Sequence, residues 1–182
     1  MILPIETERL WLRKYQDEDV ADILAFSSDA DFWLAQNLDW PVSEEGVRAH
    51  WEAQREVDPG ADPPWWALVV ALKAEGRAIG EVGIGVVKRG ERRQGTIGWL
   101  LGRKYQGLGL ATEAARALIT FGFEQLGLHR IAARTGRDNV RSWLLMERLG
   151  MRREAHLVES HVVEGAWRDE FIYAILADEW SR

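Results

Sequence analysis

Tyr105-Gln106-Gly107-Leu108-Gly109-Leu110-Ala111-Thr112-Glu113-Ala114 decides how this chain is read. It follows a β-type run, Thr96-Ile97-Gly98-Trp99-Leu100-Leu101, and leads into a helical pattern over 115–126. A strand, a glycine loop with bare amides and then a helix N-terminus build an anion site. The free N–H groups of the first turn and the positive end of the helix dipole both favour a phosphate there. Gly107 and Gly109 let the backbone approach a ligand, because no Cβ intervenes. Two nucleotide motifs are excluded. A P-loop needs Lys-Ser/Thr after its last glycine, where Leu110-Ala111 stands; a dinucleotide fingerprint needs a third glycine, where Thr112 stands. The stretch does spell Gln-x-x-Gly-x-Ala, at Gln106, Gly109 and Ala111.

Outward from the loop, apolar periodicity outlines a mixed α/β chain. Ala111, Ala115, Leu118, Ile119, Gly122 and Leu126 recur at helical steps and give one buried face, which Gly127 closes. Upstream, 65–72 and 78–87 read as adjacent strands with Glu75-Gly76 turning between them. Gly80, Gly83 and Gly85 lie inside the second strand with no helix behind, and read as packing or bulge positions. Residues 6–13 alternate into a first strand, 17–26 take helical spacing, and Ser43-Glu44-Glu45 reads as the cap of a helix through Gln54. Residues 32–40 are apolar but irregular. Downstream, 128–135 alternates around Ile131 and Ala133, and 140–149 is a short helix stopped by Gly150. Residues 168–176 form a last strand with Phe171, Tyr173 and Ile175 on one side. The loop 58–64 is too short to divide the chain. The expectation is one α/β domain over 1–182, a single mixed sheet of about six to seven strands flanked by helices.

Whole-chain properties narrow the function. The 182 residues suffice for one full core and are too few for two ordinary domains. No run approaches the roughly 18 apolar residues of a membrane span, and the N-terminus shows no secretory pattern, so the cytoplasm is the expected location. The absence of cysteine rules out thiolate metal sites and an acyl-cysteine intermediate, so for an acyltransferase direct attack of the acceptor on the thioester is the simpler mechanism. A net charge of −6 with scattered basic residues argues against nucleic-acid binding and suits a cationic acceptor such as an amine. Ten tryptophans read mostly as core or rim packing, with some available to line an acceptor cleft.

The Gln-x-x-Gly-x-Ala loop resembles the pyrophosphate loop of the GCN5-related N-acetyltransferases (GNAT), which hold the diphosphate of acetyl-coenzyme A. Three further segments carry the same resemblance. Asn139-Val140-Arg141-Ser142 with Leu149-Gly150-Met151 is similar to the family's Asn-x-x-Ser … Leu-Gly-Phe element, methionine replacing the aromatic. Gly165-Ala166-Trp167-Arg168-Asp169 with Tyr173 is similar to its closing hairpin. Glu6-Thr7-Glu8-Arg9-Leu10, continuing to Arg13, resembles the opening of the ribosomal-protein-serine/alanine N-acetyltransferase-like branch, and Leu38-Asp39-Trp40-Pro41 resembles a segment of its L7/L12 serine member.

The resemblance implies a centrally splayed sheet, no metal, and acetyl-coenzyme A as acetyl donor. Its diphosphate would lie on Gln106, Gly107, Leu108, Gly109, Leu110, Ala111 and Thr112. The strand Trp99-Leu100-Leu101 would part from the following parallel strand and pair with the pantetheine arm, an N–H near Leu100 or Leu101 polarising the thioester carbonyl. Asn139 would bond the pantetheine, or simply cap a helix; Ser142 would be the acid for the leaving thiolate, or an exposed helix hydroxyl. An α-amine titrates near 8 and a lysine near about 10.4, so a base or a desolvating pocket must neutralise the acceptor. The branch has a glutamate in the strand after Leu-Gly-Phe. An ungapped count places His161 there, with Glu159 two residues earlier and on the same strand face. Histidine has a pKa suited to base work, whereas Glu159 needs an upward shift. Glu81 is a third choice. His50, His129 and His156 read as ordinary surface or packing residues, and Glu113 as complementing the helix dipole. The acceptor, entering beside 32–40 and the Glu159 region, is a protein N-terminus or a small-molecule amine such as an antibiotic or polyamine. The oligomeric state is open between monomer and homodimer. A non-catalytic acyl-coenzyme A-binding module and a purely structural domain are the rival classes.

Overall fold

Eight strands form one sheet: β1 (Ile5–Glu6), β2 (Leu10–Arg13), β3 (Trp65–Leu72), β4 (Arg77–Arg89), β5 (Arg92–Leu101), β6 (Arg130–Gly136), β7 (Arg152–Val163) and β8 (Ala166–Leu176). Their order is β1-β2-β3-β4-β5-β6-β8-β7, antiparallel except where β5 meets β6. Among the described residues, five α-helices accompany them: α1 (Val20–Ser27), α2 (Glu44–Arg55), α3 (Leu110–Glu124), α4 (Val140–Arg148) and α5 (Ala177–Trp180). The computed structural model describes residues 3–27, 43–59, 65–89, 92–163 and 165–180. The expectations for 32–40 and for Leu38-Asp39-Trp40-Pro41 fall outside them.

The sheet separates two cores because alternate residues of β3 face opposite ways. Trp66, Leu68 and Val70 join β4, β6 and β8 side chains beneath α3 and α4. Ala67, Val69 and Ala71 pack instead with Val20 and Ile23 of α1 and Val47 and Trp51 of α2. Phe171, Tyr173 and Ile175 lie together in the first core, as their alternation implied. Burying a side chain such as Leu118, fully enclosed on α3, contributes roughly 1.5–3 kcal/mol. Ser43 caps α2 by accepting the Gly46 N–H at 3.1 Å.

The sheet has eight strands where six to seven were expected. The surplus lies at its edges: β1 is only two residues long, and β7 is a largely exposed edge strand whose pattern does not alternate cleanly. Opposite β8, Leu157 pairs with Glu170 and His161 with Arg168, so two extra residues bulge from β7 between them. The β4 glycines serve packing: Trp65 lies across Gly83 and Gly98, and a Cβ on Gly83 would sit 2.5 Å from its indole. A register shift opposite Val70 and Ala71 places a bulge beside Gly80.

Candidate active site

The loop before α3 is turned by Gly107 and Gly109, with φ of +77° and +79°, a region glycine enters without steric cost. The first helical bond runs from the Glu113 N–H to the Gly109 carbonyl, so the amides of 107–112 have no acceptor among the described residues. Gln106 braces this loop: its Nε2 donates to the Leu101 carbonyl at 2.9 Å and its Oε1 accepts from Arg141 at 2.8 Å. Arg9 reaches in from the turn before β2, donating to the Leu108 carbonyl at 3.0 Å and to Glu113 at 2.7 Å. Thr7 donates to the other Glu113 oxygen at 2.6 Å. Glu113 therefore does more than complement a dipole; it clasps the N-terminal turn to the start of α3. Burial pushes its carboxyl up, but the Thr7 and Arg9 hydrogen bonds outweigh this and hold it below the usual glutamate range. A cavity of about 420 Å³ opens between this loop, the end of β5 and α4, with Leu100, Ala111, Thr112, Arg141 and Arg148 in its lining.

The cleft beside it comes from an interrupted strand pair. β5 and β6 are in register only at Gln94, Gly95 and Thr96, opposite Arg130, Ile131 and Ala132; beyond that they part. The His129 N–H donates to the Arg93 carbonyl, so odd-numbered residues of β5 aim their backbone groups toward β6. Alternation carries the Trp99 and Leu101 N–H groups into the opened cleft, and the Leu101 carbonyl meets Gln106 there. Leu100 turns its backbone toward β4, where it stands opposite Glu81. Of the Leu100 and Leu101 N–H groups, it is that of Leu101 which faces the opened cleft, together with that of Trp99.

Helix α4 closes the other wall. Asn139 is its N-cap, its side chain accepting the Ser142 N–H at 3.3 Å, so the capping reading of Asn139 is observed and its amide nitrogen stays available. The Ser142 hydroxyl has no partner among the described residues. Tyr173 fixes α4 on the sheet: fully buried, its hydroxyl donates to Glu147 and accepts from Arg153, which stacks over Phe171 at 4.0 Å. Burial, more than these bonds, pushes the phenol up.

A second cavity, of about 500 Å³, is lined by Gly98, Ser142, Arg134, His161, Asp169 and Glu170 among others, and shares Trp99, Asn139 and Ser142 with the first. Asp169 organises its rim, accepting the Glu159 N–H at 3.0 Å, His156 at 2.6 Å and Arg137 at 3.2 Å. These bonds, the Glu159 amide foremost, hold its carboxyl down to about 2. His161 lies in this cavity. Glu159 does not share its face: the bulge turns Glu159 to φ +48°, exposed and outside both cavities, because two surplus residues interrupt the pleat. Glu81 stands on the α1–α2 face, 3.4 Å from the Trp65 indole nitrogen and 3.8 Å from His50. His156 pairs with Asp169, so it supports the rim rather than merely decorating the surface. Sequence reading missed Arg9, Arg141, Arg148 and Glu170. The available signals were Arg9 within the opening motif and Glu170 directly after Asp169. Among the described residues no cluster of His, Asp and Glu could hold a metal ion.

This geometry agrees with comparison to known proteins. A family model described as an acetyltransferase (GNAT) domain matches residues 9–152. The chain belongs to the GNAT acetyltransferases. It is 33% identical over 182 residues to the [ribosomal protein uS5]-alanine N-acetyltransferase of Escherichia coli, covering 97% of this chain and 92% of that one. It is 31% identical to the uncharacterized N-acetyltransferase YnaD of Bacillus subtilis, covering 97% and 99%. The structure of Mycobacterium smegmatis RimJ in complex with CoA-disulfide superposes with a TM-score of 0.82 at 26% identity, over 98% of this chain and 86% of that one. The chain is an N-acetyltransferase of the branch resembling the ribosomal-protein enzymes.

Proposed function

We propose that this GNAT enzyme, one domain over 1–182, acetylates the α-amine of a protein N-terminus in the cytoplasm, with acetyl-coenzyme A as donor. The observation that carries the reading is the meeting of two cavities at Trp99, Asn139 and Ser142, one floored by free loop amides and the other holding His161. The residues fit the donor. Unpaired amides at 107–112 with Arg9 and Arg141 beside them suit a diphosphate, and the opened edge of β5 suits an amide-bearing arm. When bound, the donor supplies an activated acetyl thioester.

The chain's own groups supply the rest. Gln106 holds the loop to β5 and α4, while the Asn139 amide nitrogen is a donor toward the arm. The N–H groups of Trp99 and Leu101 stabilise negative charge developing on a carbonyl oxygen in the cleft. The free Ser142 hydroxyl protonates a leaving thiolate, and His161 takes a proton from the acceptor ammonium. The similarity to the uS5-alanine enzyme over most of both chains favours a peptide acceptor over an antibiotic or polyamine.

An acceptor panel with detection of released thiol tests the reading. It should include peptides of varied N-terminal residue, a polyamine and an aminoglycoside. Thiol release with a subset of peptides is expected. Release only with small amines would shift the substrate class, and coenzyme A binding without any release would mark a binding module.

A further inference from the structure

His161 carries an unfinished contact. Its Nδ1 is buried with no hydrogen-bond partner among the described residues, and a Glu170 carboxylate oxygen stands 4.0 Å away. Nε2 also has no hydrogen-bond partner among the described residues but is not buried, and the side chain retains 19% exposure. Glu170 is itself fixed from two sides, accepting from Arg134 at 2.5 Å on β6 and from Ser160 at 3.1 Å on β7.

A neutral imidazole has one N–H and one lone pair. Directing the lone pair of Nδ1 at a carboxylate would set two electron-rich atoms against each other in a desolvated space. Placing the proton on Nδ1 gives a donor facing an acceptor, and a movement of about 1 Å closes the gap to an ordinary hydrogen bond. The geometry points to Glu170 as a positioning residue that fixes the His161 tautomer, proton on Nδ1, so that Nε2 presents its lone pair as the base. This rests on the reading of His161 as base. In the proton transfer, one N–H bond of the acceptor ammonium breaks and its electron pair stays on nitrogen. The proton bonds to Nε2, and the imidazolium so formed lies against the Glu170 carboxylate.

The other charged groups around the ring are largely committed to one another. Arg168 stands opposite His161 on β8 and lies 3.7 Å from Asp138. Asp169 is taken by His156 and Arg137, Arg134 by Glu170, and Glu159 points away on the bulge. Glu170 is the carboxylate that meets the ring.

Glu170→Gln in the full chain keeps the shape and removes the charge. Nitrogen-15 NMR of the four histidines, His161 assigned by His161→Ala, reads the tautomer directly above the titration midpoint. The wild type should show Nδ1–H. Glu170→Gln should lose that preference, lower the midpoint of the rising pH limb of kcat/KM, and reduce its plateau on the order of tenfold to a hundredfold, with Glu170→Asp partly restoring both. An Nε2–H tautomer in the wild type, or an unchanged tautomer and midpoint in folded Glu170→Gln, overturns the proposal. Should the tautomer follow Glu170 while His161→Ala keeps the limb, the base reading falls, and with it the catalytic meaning of the pair.

Discussion

At the scale of single residues, the site separates groups that hold shape from groups left with spare chemistry. Gln106 uses both ends of its amide in internal bonds, whereas the Ser142 hydroxyl has no partner among the described residues, because the Asn139 cap takes the Ser142 backbone N–H instead. Ser142→Ala should therefore leave α4 capped and the protein equally stable. Turnover should fall by roughly 10²-fold or more while coenzyme A affinity, measured by calorimetry, stays within a few-fold. Parallel losses in both quantities would reduce Ser142 to a binding residue. The paired candidates on β7 part in the same way. A base works only when deprotonated, so kcat/KM rises with pH through its titration. His161→Ala should abolish that rising limb and Glu159→Ala should leave it, since Glu159 points out of the cavity on a bulge. The reverse pattern in a pH–rate comparison would restore Glu159.

Between elements, the contacts that shape the site join segments far apart in the chain, and this sets what the sequence could reveal. The glycine loop, the helix behind it and the caps at Ser43 and Asn139 are local signals, written within four or five residues, and were legible. The Thr7 and Arg9 clasp on Glu113 spans more than a hundred residues, so nothing in the periodicity around either end announces it. Strand β7 was obscure because its edge is exposed and its bulge breaks the alternation that marks a strand. Asp169 makes that bulge and the β6–α4 turn one unit through Glu159, His156 and Arg137. Its carboxyl is held down to about 2, below the ordinary 3.8, by the Glu159 amide first and then His156. A depressed carboxyl gives stability that is present above the unfolded value and lost on protonation. The Asp169 contribution should thus be full above about pH 4 and disappear as pH falls toward about 2. Thermal melts should show Asp169→Asn below the wild type at neutral pH, with the difference narrowing through that window. A difference that stays constant down to pH 2 would mean the charge on Asp169 is not what ties the rim together.

Across the whole molecule, the sheet is two antiparallel parts joined by a short parallel seam of three residue pairs between β5 and β6, reinforced by α3 crossing above. Gly122 lets that helix sit close: a Cβ there would come within 2.9 Å of Ile131 and 3.2 Å of Ile84, one residue from each side of the seam. A ligand lying in the opened half of the seam contacts both parts at once, so binding should stiffen the junction rather than either part alone. At a coenzyme A concentration of about 100 times Kd, linkage gives roughly 2.7 kcal/mol. For a chain of this size that is a rise in Tm of about 5–10 °C. Amide exchange should slow at Trp99 and Leu101 and at residues 107–112, whose N–H groups face the cleft or lack acceptors, while β1 to β3 stay unchanged. Gly109→Asp provides the contrast. It puts a side chain at φ +79° and a carboxylate beside Arg9, whose nearest nitrogen is 3.5 Å from the added Cβ, filling the anion site from within. That variant should fold, show native exchange in β1 to β3, and gain almost no Tm from coenzyme A. Full stabilisation of folded Gly109→Asp would remove the loop from the site, and protection confined to 107–112 would show that the ligand does not enter the seam.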